Sequence, residues 1–278
     1  MQLRHESLVL MLVRESKFIN YIAKYFKRNR YKGRKMQFAL LNECKDQEIT
    51  PMILAEIAAA VERQLYEHYA PFWESSGAPV IGYPRLRDIP DGACIVVILD
   101  DAEQAGYLGY HDVTNDGRPY SRVFWNPIKN SGGTIKDGFN SLSAVISHEV
   151  LETIGDPYAS FWATNPKTNK FHALELCDAV ESEAYEIDGV SVSNFVGPRF
   201  FRKGPGPYDW MSQMLGLKSS LDGPFDTAPG GYQIVATDMD SISNIYGANY
   251  PEWKKETKTH KASRTMKRGA KWTPLVQE

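Results

Sequence analysis

Cysteine is scarce in this 278-residue sequence: Cys44, Cys94 and Cys177 are odd in number and far apart. They form no C-x-x-C pair and no disulfide framework, which points to a reducing compartment. Long apolar runs are missing as well. The longest near the start, Leu8–Val13 (LVLMLV), is too short for a membrane span, and Arg14 and Glu15 close it without an A-x-A-like cleavage site. The expectation is a chain that neither spans a membrane nor is secreted by a signal peptide. Gly132-Gly133 lack the Lys-Ser/Thr of a P-loop, so nucleotide binding is not expected there. Internal repeats and recognised nucleic-acid reader motifs are absent too.

What is present is a globular composition: 42% hydrophobic, 12% aromatic and 24% charged residues, which excludes wholesale disorder, collagen and coiled coil. The length suffices to bury a sizeable core. The formal net charge of −2 conceals an asymmetry, with +8 over residues 1–35, +5 over residues 251–278 and −15 over residues 36–250. The chain therefore divides into a basic N-terminal arm (1–35), an acidic body (36–250) and a basic C-terminal tail (251–278). In the arm, Phe18, Ile22 and Tyr25–Phe26 recur at helical spacing among lysines and arginines, predicting a basic amphipathic helix over roughly residues 7–29. Such arms suit an anionic partner: nucleic acid, an anionic surface or acidic neighbours in an assembly.

Within the body, Thr50 can cap and Pro51 can open a helix through MILAEIAAAVERQLYEHYAPFW, with Ile53, Ile57, Val61 and Leu65 as its buried face. Ala93–Asp100 (ACIVVILD) has the pattern of a buried strand. Gly106–Asp112 and Ser121–Asn126 form two more, joined by a turn at Asn115-Asp116-Gly117. A glycine-rich loop, Asn130–Gly138, leads into a second helix at about Ser141–Gly155, which Gly155 and Pro157 stop. The second half reads as irregular. It offers a hairpin at Tyr185–Phe195 around Asp188-Gly189, a short helix at Trp210–Leu217, and loops at Gly204–Pro207 and Gly223–Gly231.

The stretch Ser147–Tyr158 (SHEVLETIGDPY) carries the chemistry. On a helix, His148 and Glu152 stand one turn apart on one face, the spacing two ligands need to grip one metal ion. Glu149 can project toward a metal-bound water. This is the logic of the H-E-x-x-H zinc helix with a glutamate replacing the second histidine, and zinc accepts carboxylate oxygen as well as imidazole nitrogen. A third ligand must come from elsewhere, and Leu174–Glu183 (LELCDAVESE) offers Glu175 and Asp178, one turn apart if helical. Zinc hydrolases of the thermolysin type use a downstream glutamate as third ligand and a nearby aspartate to orient the first histidine. Glu175 as ligand and Asp178 as partner of His148 reproduce that division, and the reverse assignment is equally allowed. Asp156 falls near the same face. The other histidines have plainer readings: His68 as a packed or exposed residue, His111 near a strand end, His172 just ahead of Glu175. Cys177 reads as a small buried apolar residue without an evident base.

Three stretches, SHEVLETIGDPY, ELCDAVE and YEIDGVSVSNFV, together resemble a family of mostly uncharacterised bacterial and phage proteins of zincin metallopeptidase type. That family's pattern is H-E-x-x-E with Asp-Pro, then E-x-x-D, then an I-D-G-V-x-V-S-x-F-V hairpin. The resemblance covers roughly Ala93–Phe201 and leaves both basic arms outside. It implies an α+β, zincin-like domain: a small mixed sheet with an edge strand, plus a metal-binding active-site helix. Ser121–Asn126 would be the edge strand, along which a peptide could lie by strand addition. It further implies one zinc ion held by His148, Glu152 and Glu175 or Asp178, with Glu149 as general base and a peptide or protein as substrate. Gly155 falls seven residues after His148, where H-E-x-x-H-x-x-G-x-x-H proteases have their glycine. Tyr158 replaces their third histidine and becomes a candidate for oxyanion stabilisation instead. Two functions are compatible with these features. One is a zinc-dependent peptidase or amidase, cytoplasmic or virion-associated. The other is a structural or interaction protein, such as a phage virion component, with a zincin-like body that docks through its basic arms.

Overall fold

The computed structural model describes residues 36–103, 107–114, 117–216, 220–237 and 241–255. The predicted N-terminal helix and most of the basic tail lie outside them. Strand β1 (Phe38–Asn42) leads into helix α1 (Pro51–Arg63), and β2 (Val80–Tyr83) returns parallel to β1. Thr50 accepts the Ile53 N–H at the start of α1, and Pro51 occupies the first turn, where its missing N–H costs nothing. Leu54, Ile57, Ala58 and Val61 form its buried stripe. Helical structure continues past Arg63 through a π-helical stretch, Gln64–Tyr69, into a short α2 (Ala70–Phe72). Gln64 is fully buried in that stretch, and its Nε2 donates to the Ser193 carbonyl (2.8 Å) and the Tyr185 hydroxyl (3.0 Å).

Strands β3 (Cys94–Leu99), β4 (Gly109–Val113) and β5 (Pro119–Phe124) complete a five-stranded sheet of order β2-β1-β3-β5-β4. β1, β2, β3 and β5 run parallel, and β4 turns back antiparallel on β5. This corrects the sequence expectation for the edge. The strand that includes Ser121 lies between β3 and β4, and all its residues are buried, so the edge on this side is Gly109–Val113, with β2 at the other. Both segments have strand composition, but only β4 carries the mixed, partly exposed pattern an edge tolerates.

Helix α3 (Trp125–Asn130) and the glycine-containing loop lead to α4 (Leu142–Gly155), capped by Ser141 on the Ala144 N–H. Helices α1 and α4 pack on one face of the sheet, and the hairpin β8 (Ala184–Ile187)–β9 (Val190–Ser193) packs against both. The hairpin turns at Asp188 and Gly189, both at positive φ, as a tight two-residue turn requires. Sandwiched between sheet and hairpin, α4 is buried along its whole length.

The second half is more regular than its sequence suggests. β6 (Trp162–Asn165), β7 (Lys170–Ala173), β10 (Tyr232–Ala236) and β11 (Ile242–Tyr246) form an antiparallel sheet of order β11-β10-β7-β6. A short helix α5 (Trp210–Leu215) ends at the left-handed Gly216. The result is a mixed α/β body in which one hydrophobic cluster, from Phe38 through Ile57, Ile146 and Leu176 to Ala228, joins the first sheet, both long helices and the hairpin. The body continues past residue 250: residues 252–255 form a helical turn, and Lys254 is buried with Nζ 3.6 Å from Glu181 Oε1. Among the described residues no helix is long and apolar enough to cross a membrane.

Candidate metal centre

A buried helix must find a partner for every polar side chain, and α4 carries several. Ser143 Oγ donates to the Ser191 carbonyl (2.7 Å), and Ser147 Oγ accepts the Ser193 N–H (2.7 Å), so one row of α4 is bonded to β9. Thr153 Oγ1 donates to the Glu149 carbonyl (2.7 Å) and meets Ser121 Oγ of β5 at 2.9 Å. His148, Glu149 and Glu152 point elsewhere, toward two other elements.

The first is β4. Side chains alternate along a strand, and Tyr110 joins Tyr107, Tyr120 and Phe124 in an aromatic cluster of its own. Gly109 and His111 therefore face α4. A Cβ at Gly109 would sit 2.8 Å from Glu149 Oε1, so this glycine makes room for that carboxylate. The second element follows β7. Glu175 lies in an irregular segment and Asp178 opens a 3-10 turn, Asp178–Val180, rather than sharing a helix with it. A Cβ at Gly155 would lie 2.5 Å from Leu176 Cδ1. The glycine lets Leu176 seat against the end of α4, which brings the acids on either side of it to the helix.

Six side chains converge. His148 Nε2 lies 3.1 Å from Glu152 Oε1 and 3.2 Å from Asp178 Oδ1. His111 Nδ1 lies 3.3 Å from Glu152 Oε2 and 3.8 Å from Glu149 Oε2, and its Nε2 lies 3.9 Å from Glu175 Oε2. Two triads, His148–Glu152–Asp178 and His111–Glu152–Glu175, each offer ligand atoms within 4.8 Å of one another, and Glu152 belongs to both. The His111 side chain is 1% exposed, and neither ring nitrogen makes a hydrogen bond.

The electrostatics follow from crowding. Burial opposes charge on both imidazoles, but the surrounding carboxylates outweigh it. Glu152, Asp178 and Glu149 push His148 up to about 10, and Glu175, Glu149 and Glu152 hold His111 well above its ordinary value. Burial and the same carboxylates push the Cys177 thiol far up, and its Sγ donates to the His148 carbonyl at 3.8 Å, so it packs as a small neutral residue. Imidazole nitrogens and carboxylate oxygens in this number are a donor set for a divalent cation of the zinc class. A buried imidazole without a hydrogen bond is the group such a cation would satisfy.

The structure thus brings together His148, Glu149, Glu152, Glu175 and Asp178 and adds His111, for which the sequence alone indicates only a place near a strand end. Its signal was the alternation of GYHDV, which sets Gly109 and His111 on one face. Tyr158 is half-buried in the turn after α4, where its N–H donates to Asp156 Oδ1 at 3.3 Å. Asp156 also accepts the Phe161 N–H (2.6 Å) and so organises that turn. His172 bonds Gln233 Oε1 through Nδ1 (2.8 Å) and His68 bonds the Tyr185 hydroxyl (2.8 Å), both away from the cluster. A narrow cleft reaches His148 and Glu149 between Leu108 and Gly109 on one side and Phe139, Glu181 and Lys254 on others. A larger hollow of about 610 Å³, among Phe139, Glu183, Tyr185, Asp209 and Met211, contains none of the six. No family model, curated protein or solved structure matches the chain, so its functional reading stands on this geometry.

Proposed function

We propose that the chain is a zinc-dependent hydrolase of zincin-like design, acting on peptides or amides, with His148, Glu152 and Asp178 as ligands and Glu149 as general base. The observation that carries this reading is the meeting of a histidine and a glutamate one helical turn apart with a sequence-distant aspartate, at 3.1 and 3.2 Å, in a buried site. These distances favour Asp178 over Glu175 as the third ligand to the ion on His148. Zinc bound there supplies Lewis acidity and lowers the pKa of water. Glu149, which lines the cleft beside His148, takes the proton of the attacking water and delivers it to the leaving amine.

The edge strand offers a place for the substrate. Phe124 N–H bonds the Leu108 carbonyl, and Thr114 N–H bonds the Arg118 carbonyl. Antiparallel alternation then directs residues 108, 110, 112 and 114 toward β5 and aims the backbone groups of Gly109 and His111 away from the sheet. Among the described residues no strand covers that edge. A peptide added along Gly109–His111 passes directly beside Glu149.

The test is peptide-library hydrolysis with metal counted by elemental mass spectrometry. Wild type is expected to bind zinc, and His148→Ala to bind less. Glu149→Gln should keep its zinc and lose about 10²–10⁴ of the rate. A wild-type protein that takes up no zinc when it is supplied would sink the proposal. Full activity in Glu149→Gln would remove its mechanism.

A further inference from the structure

Resting on that reading, we infer that the same centre holds a second divalent cation, on His111, Glu152 and Glu175, with Glu152 bridging the two ions. The placement of Glu152 is the first reason. It is fully buried between the two histidines, with Oε1 3.1 Å from His148 Nε2 and Oε2 3.3 Å from His111 Nδ1. The two oxygens thus approach different histidines, and Glu152 is the residue the two triads share. A site for one ion on His148 uses a single triad, and the second triad, His111–Glu152–Glu175, offers a donor set of its own.

His111 is the second reason. Its side chain is 1% exposed, its contacts with Glu149, Glu152 and Glu175 span 3.3 to 3.9 Å, and neither nitrogen is hydrogen-bonded. Carboxylates alone face both ring nitrogens, Glu152 and Glu149 at Nδ1 and Glu175 at Nε2. Ligation of one nitrogen would replace those long contacts with a short bond, and the carboxylates already around the ring complete the donor set.

The experiment strips the full chain with a chelator, titrates it with Zn²⁺ by calorimetry and counts retained metal after desalting. Wild type should bind two ions, and His111→Gln and Glu175→Gln one each. Circular dichroism checks that each variant is folded, and Glu175→Gln preserves side-chain volume should His111→Gln fail that check. In Mn²⁺-loaded protein, electron paramagnetic resonance should show spin coupling that Glu175→Gln abolishes. A single ion in wild type, unchanged in both variants, overturns the second site and leaves the hydrolase reading standing. No ion in any form overturns both. Two ions retained in both variants would place the second ion elsewhere and overturn the assignment.

Discussion

Helices α1 and α4 lie on the same face of the same sheet, yet they are built on opposite plans. α1 divides its surface: Met52 is 70% exposed, while Ile57 and Val61 are fully buried. α4 has no solvent face, although it carries Ser143, Ser147, His148, Glu149, Glu152 and Thr153. In α1, polarity marks where water is. In α4, polarity marks where another polar group waits: β9 for the serines, β5 for Thr153, and the His111, Glu175 and Asp178 side chains for the rest. A buried polar residue on such a helix is therefore evidence about a partner.

The comparison breaks most visibly in the cores. Ile57→Ala should lower stability by about 2–5 kcal/mol in urea unfolding, because a fully buried stripe residue leaves a cavity. Zinc per folded chain should not change. If metal content falls in proportion to stability, the two helices are not the separable units this contrast assumes.

Gly109→Ala probes the other side. The new Cβ would press on Glu149 Oε1 at 2.8 Å, and that oxygen ends a flexible side chain that can move aside. The Cβ would also lie 3.0 Å from Val145 Cγ1 and 3.1 Å from the Arg122 carbonyl, so β4 must shift slightly and some stability is lost; zinc should stay, while activity falls on the order of 10²-fold from misplacement of the base. Unchanged turnover would show that Glu149 does not act from this position.

Ser147→Ala tests the serine row. It removes the acceptor of the buried Ser193 N–H, and an orphaned donor of that kind costs about 1–3 kcal/mol. The loss should appear in thermal or urea unfolding with the metal count intact. A neutral outcome would mean that β9 rearranges to satisfy the N–H and that α4 does not depend on this bond to β9.

The same contrast explains what could be read from sequence. Helices α1 and α4 were legible because caps and periodicity are local: Thr50-Pro51 and Ser141 open them. The β8–β9 hairpin was legible from Asp188-Gly189. Within the site, His148, Glu149 and Glu152 follow from helical spacing, and Glu175 and Asp178 from their own short motif. The edge of the sheet was not legible, because strand order depends on pairing between distant segments. The β6–β7 and β10–β11 hairpins were missed because their strands are only four or five residues long and lack clean alternation, and the β7–β10 pairing that joins them is long-range. His111 fell between the two cases: its alternation is local, but the face it occupies is set only when Gly109–Val113 pairs with β5.

The smallest expected effect lies where the helical run through α1 leaves its amphipathic pattern. His68 is half-buried, stacked on Trp210 with ring centroids 4.7 Å apart, and its Nδ1 meets the Tyr185 hydroxyl. That hydroxyl accepts from Gln64 Nε2, so its own hydrogen is available to His68, which then holds Nδ1 unprotonated. Burial, opposed by Glu67 and reinforced by Arg63, lowers the His68 pKa below its ordinary 6.5. The sign follows: the unfolded chain takes up the proton first as pH drops through about 6.5, so stability is full above that pH and declines below it. The decline ends once the folded imidazole is protonated as well. Its size is modest, because the ring is partly solvated. The measurement is the difference in urea midpoint between pH 7.5 and 5.5, taken for wild type and for His68→Gln. The cluster histidines contribute equally to both proteins and cancel. Wild type should lose more on acidification than His68→Gln, and equal losses would mean that the exposed end of this helical run, unlike α4, holds its histidine at no cost in protonation.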